Sequence, residues 1–239
     1  MSEIREPSPE PVVFDFAQKL PGGFHFPARM TVLPLSAGKL ALVSPIPIDD
    51  GMARAIAALG EVELLIAPNL MHHLYLADAM SRYPRARVVA PPGLASKRTD
   101  LRIDHTLDRE LPELAAAVDV IRLEGAPRMD EFVFFHRQSS TLVVTDLVFN
   151  IERPRGLMAH IVLFAMGCHG RLAASRAWGS LVKDRELARQ SVERIVALPT
   201  RVLVMAHGEV IARDAQERLA EALARRFGGR VRLALPAPG

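Results

Sequence analysis

The sequence predicts an α/β fold, and three observations carry that prediction. Short apolar strands alternate with helical stretches between residues 61 and 93. A run of three strands fills much of 119–149, with no room for a helix between the last two. Near the carboxyl end a buried strand, "RVLVMA", runs into a strongly amphipathic helix. Strand–helix–strand rhythm is the mark of βαβ units.

Each element can be justified in chain order. Residues 1–25 read as a tail and lead-in, because "MSEIREPSPEP" is rich in Pro and Glu and has no period. One domain is expected over 26–239. "MTVLPL" and "KLALVSPIP" flank Ser36-Ala37-Gly38 and predict a hairpin. "DDGMARAIAALG" has apolar residues at helical spacing, an Asp49 or Asp50 cap and a closing Gly60. "VELLIAP" is a buried strand, "LYLADAMSRYP" a helix stopped by Pro84, and "ARVVAPPG" another strand. "DVIRL", "EFVFFHR" and "STLVVTDLVF" follow as strands. Helices are expected over 155–166, 171–182 and 184–198, the first two forming a helical insert at about 155–182. The amphipathic helix 213–227 stops at Gly228-Gly229, and "VRLAL" suits a last edge strand.

Composition narrows the function classes. The chain has 239 residues, 49% hydrophobic, enough for a sizeable core. Net charge is +3, both signs are interspersed, and aromatics are 5%, so no nucleic-acid partner is expected. The single cysteine, Cys168, allows no intrachain disulfide. The first residues lack the basic start and apolar core of a secretory signal. The longest apolar stretch, "GLMAHIVLFAMG", is too short to span a bilayer. A cytoplasmic protein with no membrane partner is expected, and a homo-oligomer is allowed. The apolar stretch would line a pocket or face a partner.

Three polar groups end apolar strands: His72-His73 after "VELLIAP", Asp146 ending "TLVVTD", and His207 ending "VLVMAH" before Gly208. Side chains at that edge converge on a crevice in α/β folds. Imidazole and carboxylate are ligands for zinc and similar metals. A lone histidine is more often a surface or capping residue, and a lone Asp more often caps a turn. The combination and its order carry the argument. Adjacent residues on a helix point about 100° apart, so His72 and His73 can share a metal only from a loop or a helix start. Lys97-Arg98, after the Pro-Pro-Gly turn, could clamp an anionic substrate or simply be solvated. Cys168-His169 reads as a buried helix end, and His25, His105, His136 and His160 show no partner.

The combination resembles the metallo-β-lactamase superfamily. In that superfamily a strand ends in Thr-His-x-His-x-Asp-His, a later one in Gly-Asp, and a last one in Gly-His or His-Gly. Here the matching stretches are "APNLMHH", "TDLVF" and "MAHGE", and the likeness covers about residues 28–227. The pattern is similar to an uncharacterised bacterial branch, a domain of unknown function with His-His after Ala-Pro-Asn and a "PPGL" loop. The resemblance implies an αββα sandwich with the site between two sheets. It puts His72, His73, Asp146 and His207 in one metal position, with zinc the best match and iron or manganese allowed. Pro68 and Leu70 stand where the other position's His-x-His pair would be, and no histidine lies in "EGAPRMD". A single-metal site follows. His72 stands where the superfamily has an Asp, which removes its usual general base and makes His72 the candidate proton acceptor. The expected function is metal-dependent hydrolysis of a small substrate. The alternative is a non-catalytic binding module on the same fold.

Overall fold

The computed structural model describes residues 10–19 and 25–228. The expected tail (1–9), Gly229 and the strand "VRLAL" lie outside the described residues. Two sheets are stacked face to face. The first runs β1 (Val12–Lys19), β2 (His25–Pro34), β3 (Lys39–Val43), β4 (Glu61–Ile66), β5 (Arg87–Ala90) and β6 (His105–Thr106), in that order. The second runs β10 (Val202–Met205), β9 (Thr141–Val144), β8 (Phe132–His136) and β7 (Val118–Arg122).

Strand alternation builds the layers. On one face, Val43, Leu64, Ile66 and Val89 of the first sheet meet Val118, Phe132, Phe134, Val143 and Val204 of the second. Their neighbours Leu42, Leu65 and Val88 turn outward under α1 (Asp50–Leu59) and α2 (Leu76–Arg82), against Ile56 and Leu76. On the second sheet, Val133, Phe135, Leu142, Leu203 and Met205 point the other way. They pack under α6 (Arg176–Ser180), α7 (Arg185–Val196) and α8 (Ala215–Phe227). Period-two strands with both faces apolar therefore demand helices outside and a sheet–sheet core inside. The result is an αββα sandwich. Short helices α3 (Leu94–Lys97) and α4 (Pro112–Ala115) fill the turns around β6, and α5 (Leu157–Met166) opens the insert.

Several expectations meet the structure directly. The hairpin forms, β2 and β3 pairing antiparallel across a single 3-10 turn at Ser36–Gly38. Asp49 caps α1, its carboxylate accepting from the Met52 amide. Residues 12–19, read as lead-in, instead form β1, paired along its whole length with β2. Its apolar residues at 12, 14 and 16 pack on the outer face of the first sheet, an alternation hidden by the neighbouring Pro-rich segment. The helix expected over 171–182 shrinks to α6, because Ser175 caps it and Gly179 lies within it.

Candidate metal centre

The register of the second sheet sets two of the site's side chains. β9 and β10 are parallel neighbours, with Val144 opposite Met205. Asp146 and His207 each lie two residues beyond, so both leave the same sheet edge. Gly208 makes the turn after His207: its φ is +107°, and a Cβ there would sit 2.1 Å from the Asn150 carbonyl oxygen. Only glycine meets both demands.

The third side chain comes from the loop after β4. Asn69 closes that loop by accepting from the Met71 and His72 amides, both at 2.8 Å. His72 and His73 therefore lie in a turn ahead of α2, outside the helix. From that turn they diverge. His72 Nε2 reaches to 3.2 Å from Asp146 Oδ2 and 3.1 Å from His207 Nε2. His207 Nε2 is 3.4 Å from Asp146 Oδ1. His73, expected in the same set, points elsewhere: its Nδ1 meets Arg98 Nη1 at 3.0 Å. Burial and the Lys97 and Arg98 charges hold its pKa below the usual histidine range.

The three side chains that converge form a chemically odd group. His207 Nδ1 lies 2.7 Å from the Pro27 carbonyl oxygen, which can only accept, so that nitrogen carries the proton. Neutral His207 then presents a lone pair at Nε2. His72 is held at its other nitrogen by the Ser44 hydroxyl, at 2.7 Å. Ser44 has a positive φ of 57°, and its amide bonds the Ile66 carbonyl, so the hydroxyl is fixed at the end of β3. Two imidazole nitrogens and a carboxylate thus face one point. Such a set needs a cation at its centre or a proton on His72. For the proton, burial opposes a charge on His72, but Asp146 and then Glu131 outweigh it and raise its pKa. Burial likewise opposes the Asp146 charge, yet His72 and His207 hold its carboxyl well below the usual range. For the metal, bonds of about 2.0–2.2 Å at tetrahedral angles separate ligand atoms by about 3.3–3.6 Å. The two imidazole nitrogens lie 3.1 Å apart, and each meets a different Asp146 oxygen, Oδ2 at 3.2 Å and Oδ1 at 3.4 Å, so the carboxylate can reach a shared ion by a small rotation.

Several supporting residues had escaped the sequence reading. Glu131 is fully buried; its Oε1 accepts from the amides of Thr145, Asp146 and Leu147 and from the Thr145 hydroxyl, and its Oε2 from the Trp178 indole. It fixes the backbone that carries Asp146. Burial and the Asp146 charge raise its carboxyl, against the pull of those donors. Asn69 Nδ2 donates to Asp146 Oδ2 at 2.8 Å. Arg29, on β2, bonds the carbonyls of Met205 and Gly208 and pairs with Asp15, fastening the His207 turn to the first sheet. The one signal in the sequence was an acid directly before the aromatic run 132–135, a place where a buried carboxylate would need donors.

A cavity of 250 Å³ opens on the site, lined by Phe26, Ile46, Met71, Leu74 and Tyr75 together with the three polar residues. Phe149 stacks on the His207 ring at 4.9 Å, and Phe26 lies tilted against it at 4.7 Å. Among the described residues no lysine or arginine lines the cavity. Lys97 and Arg98, the expected anion clamp, are engaged with the loop instead. Lys97 Nζ bonds the Leu70 carbonyl at 2.5 Å, and Arg98 pairs bidentately with Asp100. The helical insert, its apolar stretch expected to line a pocket or face a partner, lines none of this cavity. Leu163 and Cys168 pack behind Phe149. Burial pushes the Cys168 thiol up to about 11. His160, read as unpartnered, meets His169 at 2.8 Å on the surface.

The two facing sheets, the outer helices and the crevice at the strand ends define the metallo-β-lactamase fold, and solved structures agree. The chain is similar to a metallo-β-lactamase from Pontibacter korlensis at 14% identity and TM-score 0.62, covering 93% of this chain and 97% of that one. A metallo-β-lactamase from Erythrobacter litoralis, with β-mercaptoethanol in its active site, matches at 13% identity and TM-score 0.62, over 94% and 95%. One from Hirschia baltica matches at 12% and 0.54, over 89% and 93%. Within this fold the chain belongs to the family described as a domain of unknown function, DUF4336, whose sequence model matches residues 12–198. No curated protein matches.

Proposed function

We propose that the protein is a metal-dependent hydrolase with one divalent cation held by His72, Asp146 and His207, acting on a neutral, largely apolar small substrate. The carrying observation is the convergence of two imidazole nitrogens and one carboxylate, all within 4.8 Å of one another. When bound there, the cation supplies Lewis acidity and a water whose pKa falls toward neutrality. Three protein ligands leave a coordination position for that water, the pattern of catalytic rather than structural zinc sites. Two histidines and one carboxylate also suit iron(II) or manganese. His207 is oriented through Pro27, and His72 through Ser44, so both rings are held before the metal arrives. A His72 side chain that serves as ligand is not free to accept a proton, so the two roles expected of it compete. The apolar wall, with no lysine or arginine of the described residues in it, favours an uncharged ester or lactone over an anionic substrate.

The test is reconstitution. Protein stripped with a chelator is given zinc, manganese or iron(II), and hydrolysis of a neutral aryl ester is followed beside a carboxylate-bearing analogue. Metal-dependent turnover, faster on the neutral ester and lost in His207→Ala, supports the reading. Stoichiometric metal binding without turnover on any ester would assign the site to a binding module.

A further inference from the structure

We propose that helix α5 and the arginines around it form a docking surface for an anionic lipid bilayer. Leu157, Met158, Ile161 and Phe164 are 79%, 50%, 53% and 75% exposed. They are four of the eight large apolar side chains exposed among the described residues. Four on one ten-residue helix make a patch, not scatter. Spacings of three and four residues put Leu157, Ile161 and Phe164 on one face, while Leu163 on the other packs among Phe149, Ile151 and Cys168. The helix is therefore anchored to the domain on one side and apolar on the other.

Charge at both ends of the helix identifies the occupant. Arg153 and Arg155 are exposed just before it and have no carboxylate partner among the described residues. At its carboxyl end, Arg176 Nη1 donates to the Ala165 carbonyl at 3.3 Å and Arg171 Nη2 to the Gly167 carbonyl at 3.4 Å. These two join Arg225 and Arg226 around a cleft of 160 Å³ whose other lining residues are glycine and alanine. A Cβ on Gly167 would meet Arg176 Nε at 3.4 Å and Arg226 Nη2 at 3.6 Å, so two guanidiniums approach one point. No carboxylate lines that cleft. Glu152 and Glu221 line the adjoining cavity, which Arg171 and Arg225 also border, and Glu221 faces Arg225 at 3.6 Å. Arg171, Arg176 and Arg226 have no carboxylate partner among the described residues, and guanidiniums gathered in this way suit phosphate-type anions. An apolar helix face between cationic ends matches the acyl boundary and headgroups of an anionic leaflet. A neutral apolar partner would not call for the arginines, and a free phosphate would not call for the helix. Among the described residues no helix is long and apolar enough to cross a membrane. Lying on the surface needs no such length, and the proposal departs here from the expectation of no membrane partner.

The experiment is flotation of the full chain with vesicles of equal parts phosphatidylglycerol and phosphatidylcholine, beside pure phosphatidylcholine, at low and physiological salt. Binding is expected to the anionic vesicles, weakening as salt rises. Ile161→Glu with Phe164→Glu should weaken it on the order of tenfold or more. Arg171→Gln with Arg176→Gln should weaken it about fivefold per arginine and flatten the salt dependence. All substituted groups are exposed, and melting curves verify that each variant folds; Arg153→Gln with Arg155→Gln gives an independent arm. Absence of binding to anionic vesicles, or equal binding to the neutral ones, would overturn the proposal. So would a dimer in solution that Phe164→Glu dissolves, which would assign the helix to a second copy.

Discussion

At the scale of single residues, the site rests on groups that are satisfied only as a set. Asp146 is the only acid among the three converging side chains, and its charge raises the His72 pKa against the opposing effect of burial. Asp146→Asn should lower the His72 pKa in metal-free protein, read from the imidazole resonance in an NMR titration. The same variant should bind metal more weakly while keeping its fold. Glu131→Gln tests the support beneath. The amide replaces an acceptor of five donors with a group that must turn an N–H toward other N–H groups. A loss of about 3 kcal/mol in denaturant unfolding is expected. A change below half of that would show that the Glu131 network is not what holds the Asp146 turn. The ligand-capable residues were legible because strand-end His and Asp stand out against apolar runs. Which of the two histidines turns inward was not legible. That choice depends on Asn69, Ser44 and Arg98, residues 3, 28 and 25 positions away from the histidine each one touches.

At the scale of elements, two parallel strands in fixed register place Asp146 and His207 side by side. The turn after β10 is the weak point of that arrangement. Gly208→Ala should cost about 2–3 kcal/mol, since the left-handed backbone and the contact with Asn150 both oppose a Cβ. It should also displace His207 and weaken metal binding in parallel. Stability lost with metal affinity unchanged would mean that the turn and the imidazole are independent. The glycine was readable as a sharp turn. Strands β4, β5, β8, β9 and β10 were readable because unbroken apolar runs bounded by Pro, Gly or charge have few other solutions. Strand β1 was not, because the charged Asp15 and Lys19 and the neighbouring prolines mask its alternation. The second insert helix was over-read, since helical spacing in 171–182 does not reveal where Ser175 caps the chain.

At the scale of the molecule, the site makes stability depend on pH and metal in opposite senses. Folding raises the His72 pKa above 6.5, so the stability it contributes is complete below 6.5 and is lost as pH rises through the folded-state value. Folding lowers the Asp146 pKa, so its contribution is present above 3.8 and is lost as pH falls through the depressed value. The melting temperature of metal-free protein, relative to His72→Gln, should therefore rise as pH is lowered from the alkaline side toward 6.5. Added zinc should reverse the trend, because protons compete for the same nitrogens and metal stabilises most at higher pH. Parallel pH profiles for the two proteins without metal would contradict the ion pair.

The most direct test of the metal centre is anomalous diffraction at the zinc edge from crystals of the zinc-loaded protein. One peak is predicted, about 2.0–2.2 Å from His72 Nε2, an Asp146 carboxylate oxygen and His207 Nε2, with His73 still turned to Arg98. A peak at His73 or between His160 and His169, with the three converging side chains left without metal, would contradict it.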